Sequence, residues 1–309
     1  MIPKDPVHIV EVGPRDGLQN LCEYIETEKK INLIKRLAES GLKEIELGSF
    51  VHPKAISQFR DIKEIVDGVV SIEGVKLTTL VPNLKGAQKA FQSGIKKIIF
   101  VFSVSRSHNL SNVRRTPNES LEELKKIKEL SSSYPEVVIR VDLATTFGCP
   151  FEIKVMKDDI LSYVEKTGKL GIKEITLCDS VGFGNPRQVE DITTTCMKSF
   201  PEITFSAHFH NTRGMGLANA LAAYESGIRS FESSIAGLGG CPFTPGSSGN
   251  IATEDMVFMF EEMGVETGVD VHSLLGISRY LKEILPGVNL ESSLLRAGMP
   301  KQREIDLHS

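Results

Sequence analysis

Hydrophobic and polar positions follow two rhythms along this chain. Residues 7–12 form a short, mostly apolar run stopped by Gly13-Pro14-Arg15-Asp16-Gly17, as expected of a buried strand ended by a turn. Across residues 27–40, Ile31, Ile34, Leu37 and Ala38 recur at three- and four-residue spacing, which predicts a helix with one apolar face. The β-loop-α unit then repeats. Strands are predicted at 7–12, 44–48, 76–81, 97–102, 137–143, 174–178, 203–207 and 229–233, eight in all. Helical patterns lie between them at 27–40, 84–92, 120–130, 155–166, 188–197 and 217–225, and another, 254–263, follows the eighth strand.

A weak internal repeat supports this alternation. Ser40-Gly41-Leu42-Lys43, Ser93-Gly94-Ile95-Lys96, Leu170-Gly171-Ile172-Lys173 and Ser226-Gly227-Ile228-Arg229 precede the second, fourth, sixth and eighth strands. Glycine there ends a helix in the left-handed conformation and lets the chain turn into the sheet. Eight such units predict an α/β fold, a parallel (β/α)8 TIM barrel. A doubly wound sheet is disfavoured because no G-x-G-x-x-G follows the first strand. Two more helical patterns, 271–285 and 290–296, predict extra C-terminal helices, so that residues 270–309 form a helical cap on a single domain spanning 1–309.

Composition adds little beyond class and compartment. At 309 residues, 40% hydrophobic and 25% charged, with a net charge of -4, the chain reads as an ordinary soluble enzyme without a nucleic-acid surface. No apolar run reaches the ~20 residues that span a bilayer, and the first strand starts too early for a leader, so no membrane partner is expected. Five cysteines without a C-x-x-C pair predict free thiols in a reducing compartment, the cytoplasm.

Barrel chemistry sits at the carboxyl ends of strands, and those ends are loaded here. His208 and His210 stand two apart at the end of the seventh strand, a spacing that points both imidazoles to one face and to one ion. Arg15 and Asp16 follow the first strand, Glu46 lies in the second, Asp142 and Asp179 end the fifth and sixth, and the eighth leads into Gly237-Leu238-Gly239-Gly240-Cys241-Pro242 and on to Asn250. Asp16, His208, His210 and Asn250 make a mixed oxygen and nitrogen set for a divalent ion, Mg²⁺ or Mn²⁺ in preference to zinc. Each residue also has a plain reading. Asp16 is then a turn former, Arg15 a surface ion-pair partner, Glu46 and Asp179 solvated strand ends, and Cys241 a small buried residue. Their gathering at one end of one barrel favours the site.

At this point the motifs resemble a known family. Residues 11–20 (Glu-Val-Gly-Pro-Arg-Asp-Gly-Leu-Gln-Asn), Pro82-Asn83-Leu84-Lys85-Gly86, Gly237 to Pro242, and Gly249-Asn250 with Ala252-Thr253-Glu254-Asp255 are similar to those of hydroxymethylglutaryl-CoA lyases, members of the DRE-TIM metallolyase superfamily with a pyruvate carboxyltransferase-like barrel. The resemblance covers nearly the whole chain. It implies cleavage of 3-hydroxy-3-methylglutaryl-CoA to acetyl-CoA and acetoacetate, a step of leucine catabolism, and an acyl-CoA partner. It further implies metal ligands at Asp16, His208, His210 and Asn250, an Arg15 facing the thioester carbonyl, a catalytic Cys241, supporting acids at Glu46 and Asp179, cofactor contacts at Asn83 and Lys85, and a homo-oligomer, dimer or tetramer.

Departures from the family pattern fall at Leu21-Cys22, Cys178-Asp179-Ser180, Asn211-Thr212-Arg213-Gly214 and the loop expected over 103–115. In that loop Arg106, Arg114 and Arg115 either meet CoA phosphates or a substrate carboxylate, or form a solvated basic surface. Alternatives are a lyase for a related 3-hydroxyacyl-CoA such as citramalyl-CoA, an acyl-CoA condensing synthase, and a non-catalytic CoA- or metal-binding protein. The synthases carry Arg-Asp-Gly-Glu-Gln where this chain has Arg15-Asp16-Gly17-Leu18-Gln19. Plain binding would need none of Arg15, Glu46 and Cys241.

Overall fold

Parallel pairing runs unbroken from each strand to the next and returns from the eighth to the first, in a computed structural model that describes residues 5–239 and 249–300. The strands are β1 (His8–Glu11), β2 (Glu44–Ser49), β3 (Lys76–Leu80), β4 (Lys97–Ser103), β5 (Val138–Ala144), β6 (Glu174–Asp179), β7 (Thr204–Phe209) and β8 (Ser230–Ser233). Closure is made by β8 against β1, from Ser230 opposite His8 to Ser233 opposite Glu11. The protein is therefore a (β/α)8 TIM barrel, as the alternating pattern predicts.

Around the barrel lie α1 (Thr27–Glu39), α2 (Ile62–Val69), α3 (Leu84–Gln92), α4 (Arg106–Val113), α5 (Pro117–Ser131), α6 (Lys157–Lys169), α7 (Pro186–Ser199), α8 (Gly216–Glu225) and α9 (Thr253–Glu262). Local chemistry fixes several starts. Thr116 and Glu119 form a reciprocal capping box on α5, and Asn83 accepts the Gly86 N–H at the start of α3. Among the repeat glycines, Gly41 and Gly227 have φ of 99° and 111°, where a side chain would be strained. The helices cover an apolar shell in which Tyr224, Phe231 and Phe260 stack and are fully buried. Truncating Phe260 to alanine would cost about 3–5 kcal/mol.

Two helices escape the hydrophobic pattern. In α2, Ile62, Ile65, Val66 and Val69 are buried at helical spacing, but the helix is only 8 residues long and contains Gly68. The 103–115 segment, expected as a loop, instead contains α4. Its cap is Ser105, which accepts the His108 N–H, and Asn109 ties it down by accepting from Ser103 N and donating to Arg115 O and Ser120 Oγ. Polar bonds rather than an apolar face hold this helix, so no periodicity announces it. Strand β7 also runs two residues past the expected end, which puts His208 inside it.

Beyond α9, α10 (Val271–Ile284) packs on α1 and α9, and α11 (Ser293–Ala297) follows. Ser278 Oγ donates to Glu254 Oε1, and the Asp255 carboxylate accepts from Ser292 Oγ, Ser293 N and Leu294 N. Residues 301–309 of the expected cap lie outside the described residues.

The interior of the barrel is charged. Along β5, Ile139, Val141 and Leu143 enter the apolar core, whereas Arg140 pairs with Glu44 on β2 and Glu232 on β8. Neither β2 nor β8 neighbours β5 in the closed order, so these contacts cross the barrel. Buried charges of this kind stay only where every partner is supplied.

Candidate active site at the carboxyl ends of the strands

The chain leaves β1 through a π-helical turn, Gly13–Gly17, that sets Arg15 and Asp16 over the barrel mouth. Glu11, the last residue of β1, fixes the turn by accepting the Gly13 N–H (2.6 Å) and, from the far side, the N–H of Ile235 (2.9 Å) and the Thr253 hydroxyl (2.6 Å). Arg15 is 8% exposed and pairs through Nη1 with Asp16 (2.5 Å) and through Nε with Glu46 (2.9 Å). It is not a surface ion pair.

On β7, His208 lies in register with Glu232 on β8 and its Nδ1 meets Glu232 Oε2 at 2.9 Å. Two residues on, the His210 ring stands 5.1 Å from that of His208, centroid to centroid, and its Nε2 is 3.8 Å from Asp16 Oδ2. A short bridge joins His210 to Asn250, whose Nδ2 donates to Asp16 Oδ2 (2.8 Å) and Leu238 O (3.0 Å). One candidate ligand atom from each of Asp16, His208 and His210 lies within 4.8 Å of the others. Both His210 Nδ1 and Asn250 Oδ1 are buried without a hydrogen-bond partner among the described residues, a cost that a bound cation would relieve.

Electrostatics suit these residues to an ion. Burial pushes the Asp16 carboxyl up, yet the Arg15 guanidinium, followed by His208, holds it well below the usual carboxylate range. Burial and then the neighbouring His208 push His210 down to about 4, so this ring is neutral and keeps one nitrogen lone pair for a ligand bond. The donor set, one carboxylate, two imidazoles and a nearby amide, fits a divalent cation.

These groups floor a cavity of about 540 Å³, with Asn83, His108 and Arg115 also in its lining. The site residues expected from sequence divide accordingly. Arg15, Asp16, His208 and His210 line the cavity, and Asn250 touches Asp16 from behind. Glu46 lies beneath Arg15, fully buried, and burial raises its carboxyl to about 7 against the pull of Arg15. Asp179 faces away, accepting the N–H groups of Phe183 and Gly184; burial lifts it to about 6. Asn83 spends its side-chain oxygen on the helix cap at the cavity rim, and Lys85 is exposed and outside the lining. Arg115 lines the cavity and donates to Pro82 O, whereas Arg106 and Arg114 are exposed. Cys241 lies outside the described residues.

Sequence reasoning missed Glu232 and Arg140. Their signal was present as charged residues alternating with apolar ones inside buried strands, Arg140-Val141-Asp142 and Phe231-Glu232-Ser233, but only the barrel register brings them to His208. At the departures, Arg213 stacks on the Phe183 ring and donates to Val181 O, bracing the loop after β6, and Cys178 lines the cavity as a thiol pushed up by burial.

Comparison with known proteins finds lyases over nearly the whole chain. A hydroxymethylglutaryl-CoA lyase of Bacillus subtilis is 41% identical over 289 residues, covering 92% of this chain and 96% of that one. The structure of an HMG-CoA lyase from Acinetobacter baumannii in complex with coenzyme A and 3-methylmalate superposes with a TM-score of 0.90 at 43% identity, over 99% of this chain and 98% of the other. An (R)-citramalyl-CoA lyase of Chloroflexus aurantiacus is 36% identical over 291 residues, covering 91% of this chain and 92% of its own. With its residues 6–281 matching the HMGL-like family model, the chain belongs to the HMGL-like family.

Proposed function

We propose that this protein is a metal-dependent carbon–carbon lyase that cleaves 3-hydroxy-3-methylglutaryl-CoA to acetyl-CoA and acetoacetate. The observation that carries the reading is the convergence of Asp16, His208 and His210 beside the buried Arg15 on one cavity floor.

Retro-Claisen cleavage passes the proton of a tertiary hydroxyl to a base and turns that carbon into the carbonyl of the keto acid as the adjacent C–C bond breaks. The electron pair moves into the thioester as an enolate, and the reaction ends when an acid gives a proton to the enolate carbon. A divalent ion, Mg²⁺ or Mn²⁺, held by Asp16, His208, His210 and Asn250 supplies Lewis acidity toward that hydroxyl. Glu46 and Asp16 hold Arg15 in one orientation, which supports a role for its guanidinium in stabilising the negative charge that would develop on the thioester oxygen. It remains a cation throughout the pH range of the enzyme. The surrounding burial excludes water and strengthens that interaction. Cys241, on the glycine-rich segment that follows β8, delivers the proton to the enolate carbon and completes acetyl-CoA. Asn83 and Arg115, both in the cavity lining, would meet the CoA moiety.

The relation to (R)-citramalyl-CoA lyase favours a second acyl group for the same site. Citramalyl-CoA differs at the carboxylate-bearing arm, and Cys178 and Ser180 line the cavity where the family motif departs. A single assay separates the two readings. Purified protein with Mg²⁺ and each acyl-CoA is followed by mass spectrometry of the keto product, acetoacetate in one case and pyruvate in the other. No turnover of either substrate would remove the lyase reading. The four described cysteines are free, which supports a reducing compartment, and we place the enzyme in the cytoplasm as a homo-oligomer, with light scattering as the check on assembly. No helix among the described residues is long and apolar enough to cross a membrane.

A further inference from the structure

We propose that Glu232, anchored by Arg140, is a positioning residue that fixes the tautomer of His208 and turns the Nε2 lone pair toward Asp16 and His210. The inference rests on the reading of His208 as a metal ligand and assigns that ligand its support.

The geometry is restrictive. Glu232 and His208 are register partners on adjacent strands, joined through Oε2 and Nδ1 at 2.9 Å. The other carboxylate oxygen, Oε1, is paired with Arg140 Nη2. Arg140 cannot swing away, because its Nε is 3.1 Å from Asp142 Oδ1 and its Nη1 is 3.4 Å from Glu44 Oε1. Glu44 is in turn held by Lys97 Nζ at 2.9 Å. Arg140 and Glu232 are each 1% exposed, so water offers neither a substitute partner.

An ionised carboxylate only accepts. With Oε1 committed to a guanidinium, Oε2 faces Nδ1, and the neutral ring must carry its proton there. Nε2 is then left with its lone pair, the form in which an imidazole binds a metal. Arg140 therefore acts at a distance, from the middle of the barrel, by denying Glu232 any other orientation. A charged barrel interior, costly by itself, acquires a function: it carries orientation from β5 through β8 to the ligand on β7.

The substitution Glu232→Gln tests this. Arg140 donates and needs an acceptor, so it captures the amide oxygen and leaves the NH₂ group facing His208 Nδ1. Nδ1 must then accept, the proton moves to Nε2, and the ligand lone pair is lost. Without substrate, the Kd for Mn²⁺, read from the free-ion EPR signal, is expected to rise about 10–100-fold. In ¹⁵N-histidine NMR of the metal-free protein at alkaline pH, where the ring is neutral, His208 should be the Nδ1–H tautomer in the unaltered chain and the Nε2–H tautomer in Glu232→Gln. Unchanged Mn²⁺ affinity in a folded Glu232→Gln protein overturns the proposal, and so does an Nε2–H tautomer in the unaltered chain. The second measurement needs no variant, so it decides even where Glu232→Gln does not fold. Failure of the unaltered chain to bind Mn²⁺ would instead remove the metal reading, while the tautomer still reports on the hold of Glu232.

Discussion

Arg15 Nε and Glu46 Oε2 form an ion pair of 2.9 Å beneath the cavity floor, with Glu46 wholly removed from water. The pair orients a cation and leaves it an adjacent anion, Asp16, on its other edge. Such an arrangement serves a guanidinium that must point rather than merely neutralise.

Arg15→Met should therefore lower kcat by about 10²–10³-fold, the loss of one preorganised charge-stabilising donor. Mn²⁺ affinity should stay near that of the unaltered protein, because Asp16, His208, His210 and Asn250 remain. Single-turnover rates beside Mn²⁺ titrations measure both quantities. A variant with unaltered kcat would reject Arg15 as the group that meets the thioester oxygen.

Metal removal is the second test. Chelation should abolish cleavage and Mg²⁺ or Mn²⁺ should restore it, since loss of a tertiary hydroxyl proton near neutral pH needs Lewis-acid help. The same ion should stabilise the fold, by about 2.7 kcal/mol at a free concentration 100 times its Kd. His208→Ala should lose both effects together in thermal melts with and without Mn²⁺. A purely structural histidine would lower the melting temperature and leave the Mn²⁺-dependent increment in place.

Much of this site could be read before the fold was known, and the reason is geometric. Strands buried on both faces read as compact apolar runs, and the two-residue spacing of His208 and His210 survives translation into any strand. Arg15 and Asp16 were legible because a turn follows β1. What stayed hidden depends on closure. Glu232 is adjacent in sequence to Phe231 and Ser233 and looks like a solvated strand position until β8 is laid beside β7. Helix α4 was hidden for another reason: its buried residues are His108 and Asn109, and polar bonds leave no hydrophobic period.

Glu11 gives a pH prediction. Burial raises its carboxyl from the usual 4.5 to about 8, against the hydrogen bonds from Thr253, Ile235 and Gly13. The folded state thus holds this proton more tightly than the unfolded chain, and the resulting stability is full below about 4.5 and lost as pH rises through about 8. Glu11→Gln mimics the protonated group: the amide oxygen accepts from Gly13 N and Ile235 N, and the NH₂ group donates to Thr253 Oγ1. Its melting temperature should match the unaltered protein below about pH 4.5, exceed it by a growing margin as pH rises to about 8, and keep that margin above it. Parallel melting curves across that range would show that Glu11 does not titrate with folding.

Cys241 supplies the last test, and the other cysteines sharpen it. Cys149, Cys178 and Cys196 are buried, and burial pushes the thiols of Cys178 and Cys196 upward, so neither forms a reactive thiolate readily. Cys22 is exposed but is not in the cavity lining. A thiol that carries a proton to the enolate carbon must reach the cavity and ionise near neutral pH, and Cys241 follows Gly239 and Gly240 in the sequence, nine residues before Asn250, whose amide donates to Asp16. Cys241→Ser should keep the fold and Mn²⁺ affinity while losing most cleavage, because a hydroxyl is a far weaker acid than a thiol. Alkylation should inactivate the unaltered enzyme, acyl-CoA should protect it, and peptide mapping should place the protected adduct on Cys241. Protection mapped to Cys178, or a serine variant that cleaves at the parental rate, would assign the proton to another group.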